Sequence, residues 1–394
     1  MNTITKYIET PEQVGSYNVI HAKLNGDVLS TFPATSEHFM PLSMIAYEES
    51  IRRIALNDMQ YSFVAADVFP ALFCNNRCYW CFHEEILHSN NDSAELAIES
   101  LKPLLEDLRF LGIKGLRILG GGEPTLYKNF EYLLDEINAT GLITTLITNG
   151  TLLKKYFKPI ADVCNFVRVS LDAGSEESRK KVHGVSDYNN IISGLTLLAK
   201  QLKYPQILGV TYILDQHNLF DIYECCNRLA SLGVNIISFR LPKKFKDGLF
   251  DSEIVSILRK QLYLARQDFS NLKIIVRFRL NENVEPFEYG TDIPFCLTRR
   301  LRPLINVAGS VQACNSYVDD KNWSYGKLSN NRFSEIVEQD MFMHIMQRKH
   351  RTPCKDMCCL ENATELFYWM YDSIIKTNGF VNFVQTYDQK LDWI

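Results

Sequence analysis

The chain has 394 residues, 46% of them hydrophobic and 22% charged, with a formal net charge of −4, a balance typical of soluble proteins of roughly two to three domains. That charge leaves no overall basic field, so no nucleic-acid partner is expected, and pairs such as Lys243–Lys244 or Arg299–Arg300 read as solvated surface. The opening "MNTITKYIETPEQVGSYNV" is not a signal peptide and no apolar run is long enough to span a bilayer, so the expected location is cytoplasmic, with no membrane partner.

Residues 1–62 read as an N-terminal extension. "HAKLNGDVL" suits a hairpin through Asn25–Gly26 and "LSMIAYEESIRRIAL" a helix, a segment short for a peptide-docking module. Between 63 and 245 strand-like and helix-like segments alternate. "SFVAADVFPALF", "GLRILGGGEP", "LITTLITNG", "NFVRVSLDAG", "QILGVTYIL" and "VNIISF" read as strands. "AELAIESLKPLLEDLRFLG", "KNFEYLLDEINATG", "TLLKKYFKPIADVC", "DYNNIISGLTLLAKQL" and "LFDIYECCNRLASLG" read as the helices between them.

That pattern predicts an α/β fold with a parallel sheet and right-handed crossovers. Polar or glycine-rich sequences ("CNNRC", "GGGEPT", "TNGT", "DAGSEE", "DQHN") follow the strands, so the chemistry is expected on one rim, at the C-terminal strand ends. Residues 246–285 supply a connecting helix and strand, "SEIVSILRKQLYLARQDF" and "LKIIVRF". Residues 286–394 begin with a hairpin around Ala308–Gly309–Ser310 and end in helices such as "ENATELFYWMYDSIIKT".

Eleven cysteines in a reducing compartment point to metal or cofactor ligands rather than disulfides. Cys164, Cys225 and Cys226 stand apart and read as core packing. Cys74, Cys78 and Cys81, in "CNNRCYWC", offer three thiolates where a closed site needs four. Zinc is one reading, with His83 or His88 as the fourth ligand. The other is a four-iron cluster on three thiolates, which keeps one iron open for a substrate or cosubstrate. In "GGGEPT" the glycines permit close approach of a ligand and Glu123 suits an ammonium group. No G-x4-GK[ST] lysine follows to make a phosphate loop.

Together, Cys74-x3-Cys78-x2-Cys81 and Gly121–Gly122–Glu123–Pro124, in that order on consecutive strand ends, resemble the radical S-adenosylmethionine (radical SAM) superfamily. The resemblance implies a partial (β/α)6 TIM-like barrel over residues 63 to 245. It also implies a [4Fe–4S] cluster on the three cysteines, whose open iron takes S-adenosylmethionine, and a reducing partner such as flavodoxin or ferredoxin. It further assigns Gly121, Gly122 and Glu123 to the ammonium, Trp80 to the adenine side, and Ser170 and Asp172 to the ribose side. Asn149 is placed at the ribose or carboxylate, and Arg179 or His183 at the methionine carboxylate.

In the C-terminal part, a hairpin carrying Cys296 and Cys314 near a Cys354-x3-Cys358 pair offers four ligands for one closed site, for iron–sulfur or zinc. The C-x12-G-x4-C element resembles the opening of the SPASM/twitch extension, which implies a second, auxiliary [4Fe–4S] cluster in a small domain. Cys359, next to Cys358, is an alternative ligand or a hydrogen-atom donor. The expected activity is hydrogen abstraction from a polar small molecule (a sugar, aminocyclitol or nucleotide) with net oxidation, Arg240 holding a substrate carboxylate or phosphate. The alternatives are a maturase that epimerises or crosslinks a precursor peptide, and a zinc-binding α/β protein without radical chemistry.

Overall fold

A computed structural model of the chain describes residues 12–14, 17–24, 27–33, 50–56, 61–78, 80–81, 83–84, 95–242, 250–276, 278–280, 284–285, 296–318, 320–329, 331–347 and 381–382. At the N-terminus, β1 (Glu12–Val14), β2 (Tyr17–Leu24) and β3 (Asp27–Pro33) form an antiparallel meander. Lys23 pairs with Val28 and Leu24 with Asp27, the pairing expected of the hairpin strands. A helix follows at 50–56, inside the expected helical segment.

The alternating region supplies β4 (Ala65–Val68), β5 (Gly115–Ile118), β6 (Ile143–Thr148), β7 (Phe166–Ser170), β8 (Ile207–Ile213) and β9 (Ile236–Arg240). All six are parallel and lie side by side in chain order. The helices Leu101–Phe110, Phe130–Thr140, Leu153–Val163, Tyr188–Gln201 and Ile222–Leu232 make the crossovers. Each presents an apolar stripe to the sheet; Tyr188, Ile191, Leu195 and Leu198 recur at helical spacing and are buried. Helices end where glycine accepts a left-handed turn, as at Gly141 and Gly233.

The sheet continues past both ends of this unit. β10 (Lys273–Val276), the "LKIIVRF" strand, adds parallel to β9 after the helix Ser252–Asp268. A short pair, β11 (Arg279–Leu280) and β12 (Val284–Glu285), stands apart. At the other edge, β13 (Leu304–Ile305) pairs parallel with β4, and β14 (Ser310–Gln312) and β15 (Ser324–Lys327) add antiparallel to give ten strands. Gly309, at φ +68°, makes the expected turn between β13 and β14. The C-terminal part therefore extends the sheet of the α/β unit. Finally, β16 (Val381–Asn382) runs parallel to β3, joining the C-terminal segment to the N-terminal sheet.

Strand burial explains why one sheet has two characters. Outward residues such as Leu116, Ile118, Leu146, Val167, Val169, Val210 and Ile237 are buried under the helices. Inward Arg117, Ile147, Arg168, Ser170, Ile213 and Arg240 are only partly covered, so the inner face remains reachable.

An aromatic cluster of Tyr61, Phe63, Tyr325, Phe333 and Phe342 fastens the C-terminal helices to the chain entering β4. Buried Asp107 completes that joint. It accepts hydrogen bonds from Phe333 N–H (2.7 Å) and Arg332 Nε (2.8 Å), across more than two hundred residues of sequence. Asp107→Ala leaves the buried Phe333 N–H without its acceptor and is expected to destabilise the fold by about 1–3 kcal/mol, read from the shift of a urea melt.

Candidate functional site

Five segments stand at the C-terminal strand ends: 69–81 after β4, 119–125 after β5, 149–151 after β6, 171–175 after β7 and 214–218 after β8. They are the five polar segments anticipated for one rim. The cysteine loop is built against the glycine loop by backbone contact. Gly122 N–H donates to Ala71 O (3.3 Å) and Glu123 N–H to Phe73 O (2.8 Å). A Cβ on Gly122 would lie 2.2 Å from Phe73 O, and one on Gly121 would lie 2.6 Å from Leu72 Cδ1. Gly122 therefore serves the approach of another backbone and Gly121 that of the Leu72 side chain, a need the sequence alone assigns to a ligand.

Glu123 is 2% exposed, and its carboxylate is engaged by the protein itself. Oε1 accepts from Thr125 N–H (3.0 Å), Thr125 Oγ1 (2.6 Å) and Thr148 Oγ1 (2.6 Å), and Oε2 accepts from Asn149 N–H (2.7 Å). Burial pushes its carboxyl above the usual range, while the Asn149, Thr125 and Thr148 donors pull it back. Glu123 thus ties the loop after β5 to the end of β6. The sequence-based ammonium role describes none of these bonds.

Asn149 in turn meets the cysteine loop. Its Nδ2 donates to Asn75 Oδ1 (2.7 Å) and lies 3.8 Å from Cys74 Sγ, while its Oδ1 accepts from Thr151 N–H (2.9 Å) and Thr151 Oγ1 (2.8 Å). Asn75 Nδ2 closes the circuit on Thr151 Oγ1 (2.9 Å). Asn75 and Thr151 carried no role in the sequence. The asparagines inside "CNNRC" and the threonine of "TNGT" are the signal that could have marked them.

The other flank of the loop rests on the helix Glu176–His183. Arg77 N–H donates to His183 O (2.8 Å), and Asn76 Nδ2 lies 3.3 Å from His183 Nδ1. Cys78 Sγ is 2.8 Å from the same Nδ1, and His183 Nε2 is 3.0 Å from Asp172 Oδ2. Burial lowers the histidine's pKa, with Asp172 only partly offsetting it. A neutral ring that donates Nε2–H to Asp172 accepts at Nδ1, so the Cys78 thiol donates there. Asp172 sits at φ +50°, is 1% exposed, and also accepts from Ile213 N–H (2.6 Å). Its two oxygens are thus used by His183 and β8.

Ser170, at the end of β7, is half-buried and gives its carbonyl to Arg179. Arg179 is fully buried; Nη1 donates to Ser170 O (3.0 Å) and Leu171 O (2.9 Å), and Nε to Asp187 Oδ1 (2.8 Å). It braces the loop after β7. Trp80 stands edge-on to His183, with ring centroids 5.9 Å apart, and His83 is buried edge-on against Phe69. Arg240 ends β9 on the inner face, level with Ile213.

Below the rim, the inner face is polar. Arg117 donates to Asp67 through Nε (2.7 Å) and Nη2, and Arg302 Nε lies 3.5 Å from the same carboxylate. Burial alone would raise the Asp67 carboxyl, but the Arg117, Arg302 and Arg168 guanidiniums outweigh it and hold it below its ordinary 3.8. Its ionised form therefore adds stability that is complete above pH 3.8 and fades as pH falls through the lower folded value. Acid unfolding of Asp67→Asn should lack that component.

Cys296 and Cys314, both half-buried, each act electrostatically on the buried Tyr325 hydroxyl. Gln312 is level with Leu304, and Leu304 with Asp67, so Cys314 follows β14 toward the N-terminal end of β4, away from the rim that carries Cys74. Cys354, Cys358 and Cys359 lie outside the described residues.

The model of the radical SAM superfamily matches residues 68–237. Those residues are a radical SAM domain. A probable GTP 3′,8-cyclase of Thermococcus kodakarensis is 28% identical over 182 residues, which cover 45% of this chain and 57% of that protein. A tungsten-containing aldehyde ferredoxin oxidoreductase cofactor-modifying protein of Pyrococcus furiosus is 26% identical over 198 residues, 46% of this chain and 53% of that one. The chain thus spans little more than half the length of these relatives. The crystal structure of Streptococcus suis SuiB bound to precursor peptide SuiA superposes with a TM-score of 0.58 at 17% identity, covering 77% of this chain and 72% of that one, which supports the fold.

The radical SAM family uses a [4Fe–4S] cluster and S-adenosylmethionine, and the donor set on this rim fits the cluster. Cys74 and Cys78 each feel the Cys81 thiol electrostatically and are half-buried within one short loop. Burial raises the Cys74 and Cys78 thiols, so both are protonated when free and release protons on binding iron. Gly122→Ala forces the Phe73 backbone aside, an overpacking cost of about 1–3 kcal/mol. Its iron content after reconstitution should fall well below wild type. Gly141→Ala, in open space at φ +71° just past the helix Phe130–Thr140, should keep full iron despite a comparable stability loss.

Proposed function

We propose that the chain is a radical SAM enzyme that reductively cleaves S-adenosylmethionine and uses the resulting 5′-deoxyadenosyl radical to abstract hydrogen from a polar substrate inside the barrel. The observation that carries this reading is the cysteine loop itself. Three thiols stand on one strand-end loop, held by Asn149 on one side and His183 on the other, beside the glycine loop. Cys74, Cys78 and Cys81 would hold the cluster. When bound, cluster and cosubstrate supply the electron and the sulfonium whose cleavage starts the reaction. The chain's own residues fix the loop: Glu123 locks two rim segments together, and Asp172 orients His183 against Cys78.

The placement of Cys296 and Cys314 near the Tyr325 hydroxyl supports an auxiliary cluster completed by thiols from Cys354, Cys358 or Cys359. Its place toward the opposite end of β4 suits electron exchange with the substrate side rather than cosubstrate binding. Net oxidation remains the reaction favoured, with a flavodoxin or ferredoxin as reductant. A second reading, a precursor-peptide maturase, draws on the N-terminal sheet. Its edge strand β1 offers backbone groups to which an extended peptide can add as a further strand.

Anaerobic reconstitution is expected to give about eight iron and eight sulfide per chain, as two four-iron clusters require. Stoichiometric zinc with no S-adenosylmethionine cleavage would instead establish the zinc-binding alternative. Cys78→Ala should abolish deoxyadenosine formation, measured by chromatography of the quenched reaction. Cys314→Ala should retain uncoupled cleavage while losing product; equal loss of both would argue against separate roles for the two cysteine groups.

A further inference from the structure

Cys74 Sγ faces two N–H donors. Asn76 N–H lies 3.4 Å away and Asn149 Nδ2 3.8 Å, both within reach of the large sulfur atom. The first is a backbone group inside the cysteine loop itself. The second comes from the segment after β6, so the fold alone brings it there.

The direction of the Asn149 amide is fixed by its partners. Thr151 N–H can only donate, and Asn149 Oδ1 accepts it (2.9 Å), so the oxygen faces Thr151 and the nitrogen faces the cysteine loop. Thr151 Oγ1 accepts from Asn75 Nδ2 (2.9 Å) and donates to the same Oδ1 (2.8 Å). Asn75 therefore turns its oxygen to Asn149 and takes one Nδ2 hydrogen (2.7 Å). An amide nitrogen carries two hydrogens, and the other is directed at Cys74. The Asn149 backbone is held in turn, its N–H donating to Glu123 Oε2 (2.7 Å), and the residue is buried.

Hydrogen bonds to the ligand sulfurs are among the factors that set an iron–sulfur potential. Reduction adds negative charge to the cluster and its thiolates, so an N–H donor stabilises the reduced form more than the oxidised one. We propose that Asn149 raises the reduction potential of the cluster held by Cys74, Cys78 and Cys81 by donating Nδ2–H to the Cys74 thiolate, with Thr151 positioning the amide. This rests on the reading of the cysteine loop as the cluster site of a radical SAM enzyme. It gives "TNGT" a part in how readily the cluster accepts an electron, separate from any contact to S-adenosylmethionine.

The test is a redox titration of the anaerobically reconstituted holoenzyme, read by electron paramagnetic resonance of the reduced cluster without S-adenosylmethionine. Adding S-adenosylmethionine to a reduced sample identifies the signal, because only the cluster with an open iron takes the cosubstrate and changes its spectrum. Asn149→Leu, close in volume but without the donor, should shift the reduction equilibrium about 10-fold toward the oxidised form, about 59 mV lower for one electron. Thr151→Val should shift it in the same direction by a smaller factor. Thr151→Ser, which keeps the hydroxyl, should restore the wild-type value. A loop merely opened to water would move the potential the other way, since hydration favours the more highly charged reduced form.

If Asn149→Leu does not take up iron, the two Thr151 variants still decide. A midpoint unchanged or raised in Asn149→Leu and Thr151→Val, or not restored in Thr151→Ser, would overturn the proposal. The wild-type preparation separates the two readings. Absence of any signal that responds to S-adenosylmethionine refutes the radical enzyme and the proposal with it; a responsive signal with indifferent variants refutes only the role of Asn149.

Discussion

The approach of the glycine loop to the backbone of Phe73 is the contact on which the site depends. No side chain fits between Gly122 and Phe73 O, so the segment after β5 lies directly on the segment that leads to Cys74. Glu123 follows, and its buried carboxylate gathers donors from its own loop and from the end of β6. Asn149, placed by that carboxylate, reaches back to Asn75 and Cys74. Three strand ends are thereby fixed relative to one another by a circuit in which each polar group serves its neighbour. A buried carboxylate with these donors rigidifies the rim; with any of them missing it would be a liability.

The opposite flank works through different chemistry. His183 ends a short helix that begins with a Ser175–Ser178 capping box, and Gly184 ends it at φ +71°. Arg179 lies within the same helix and spends its guanidinium on the carbonyls of Ser170 and Leu171, so helix and strand end move as one piece. The Asp172–His183–Cys78 contact therefore has a stiff base. Below it, strand alternation separates a helix-covered apolar face from an inner face with Asp67, Arg117, Arg168, Ser170, Thr211 and Ser238. Period-two geometry alone produces that division. It gives the sheet an apolar outer face that packs the helices and an inner face that carries these polar side chains.

The C-terminal part is attached by the same sheet. Because β13 pairs with β4 in parallel register, the hairpin that bears Cys314 continues the first strand of the α/β unit. The aromatic cluster and the Asp107 bonds then hold the following helices against the entry to that strand. Cys74 and Cys314 are consequently disposed toward different ends of β4.

By itself the sequence determined the six alternating βα units, the order of the rim segments, the hairpin at Gly309 and the clustering of cysteines. Each of these is written locally, in hydrophobic period, turn glycines and short ligand spacings. What the tertiary structure decided are pairings between distant residues: Glu123 with Thr148 and Asn149, Cys78 with His183, Asp67 with Arg117, Arg168 and Arg302. Single charges set in apolar strands, as in "FVAADVF", "GLRIL" and "NFVRVS", do signal an inward polar position, but not its partner. Partners follow from which strands become neighbours and how far the register shifts around the barrel. The glycine loop makes the same point: the absence of Cβ atoms was legible, while the Leu72 side chain and Phe73 backbone they admit became visible only once β4 and β5 lay side by side.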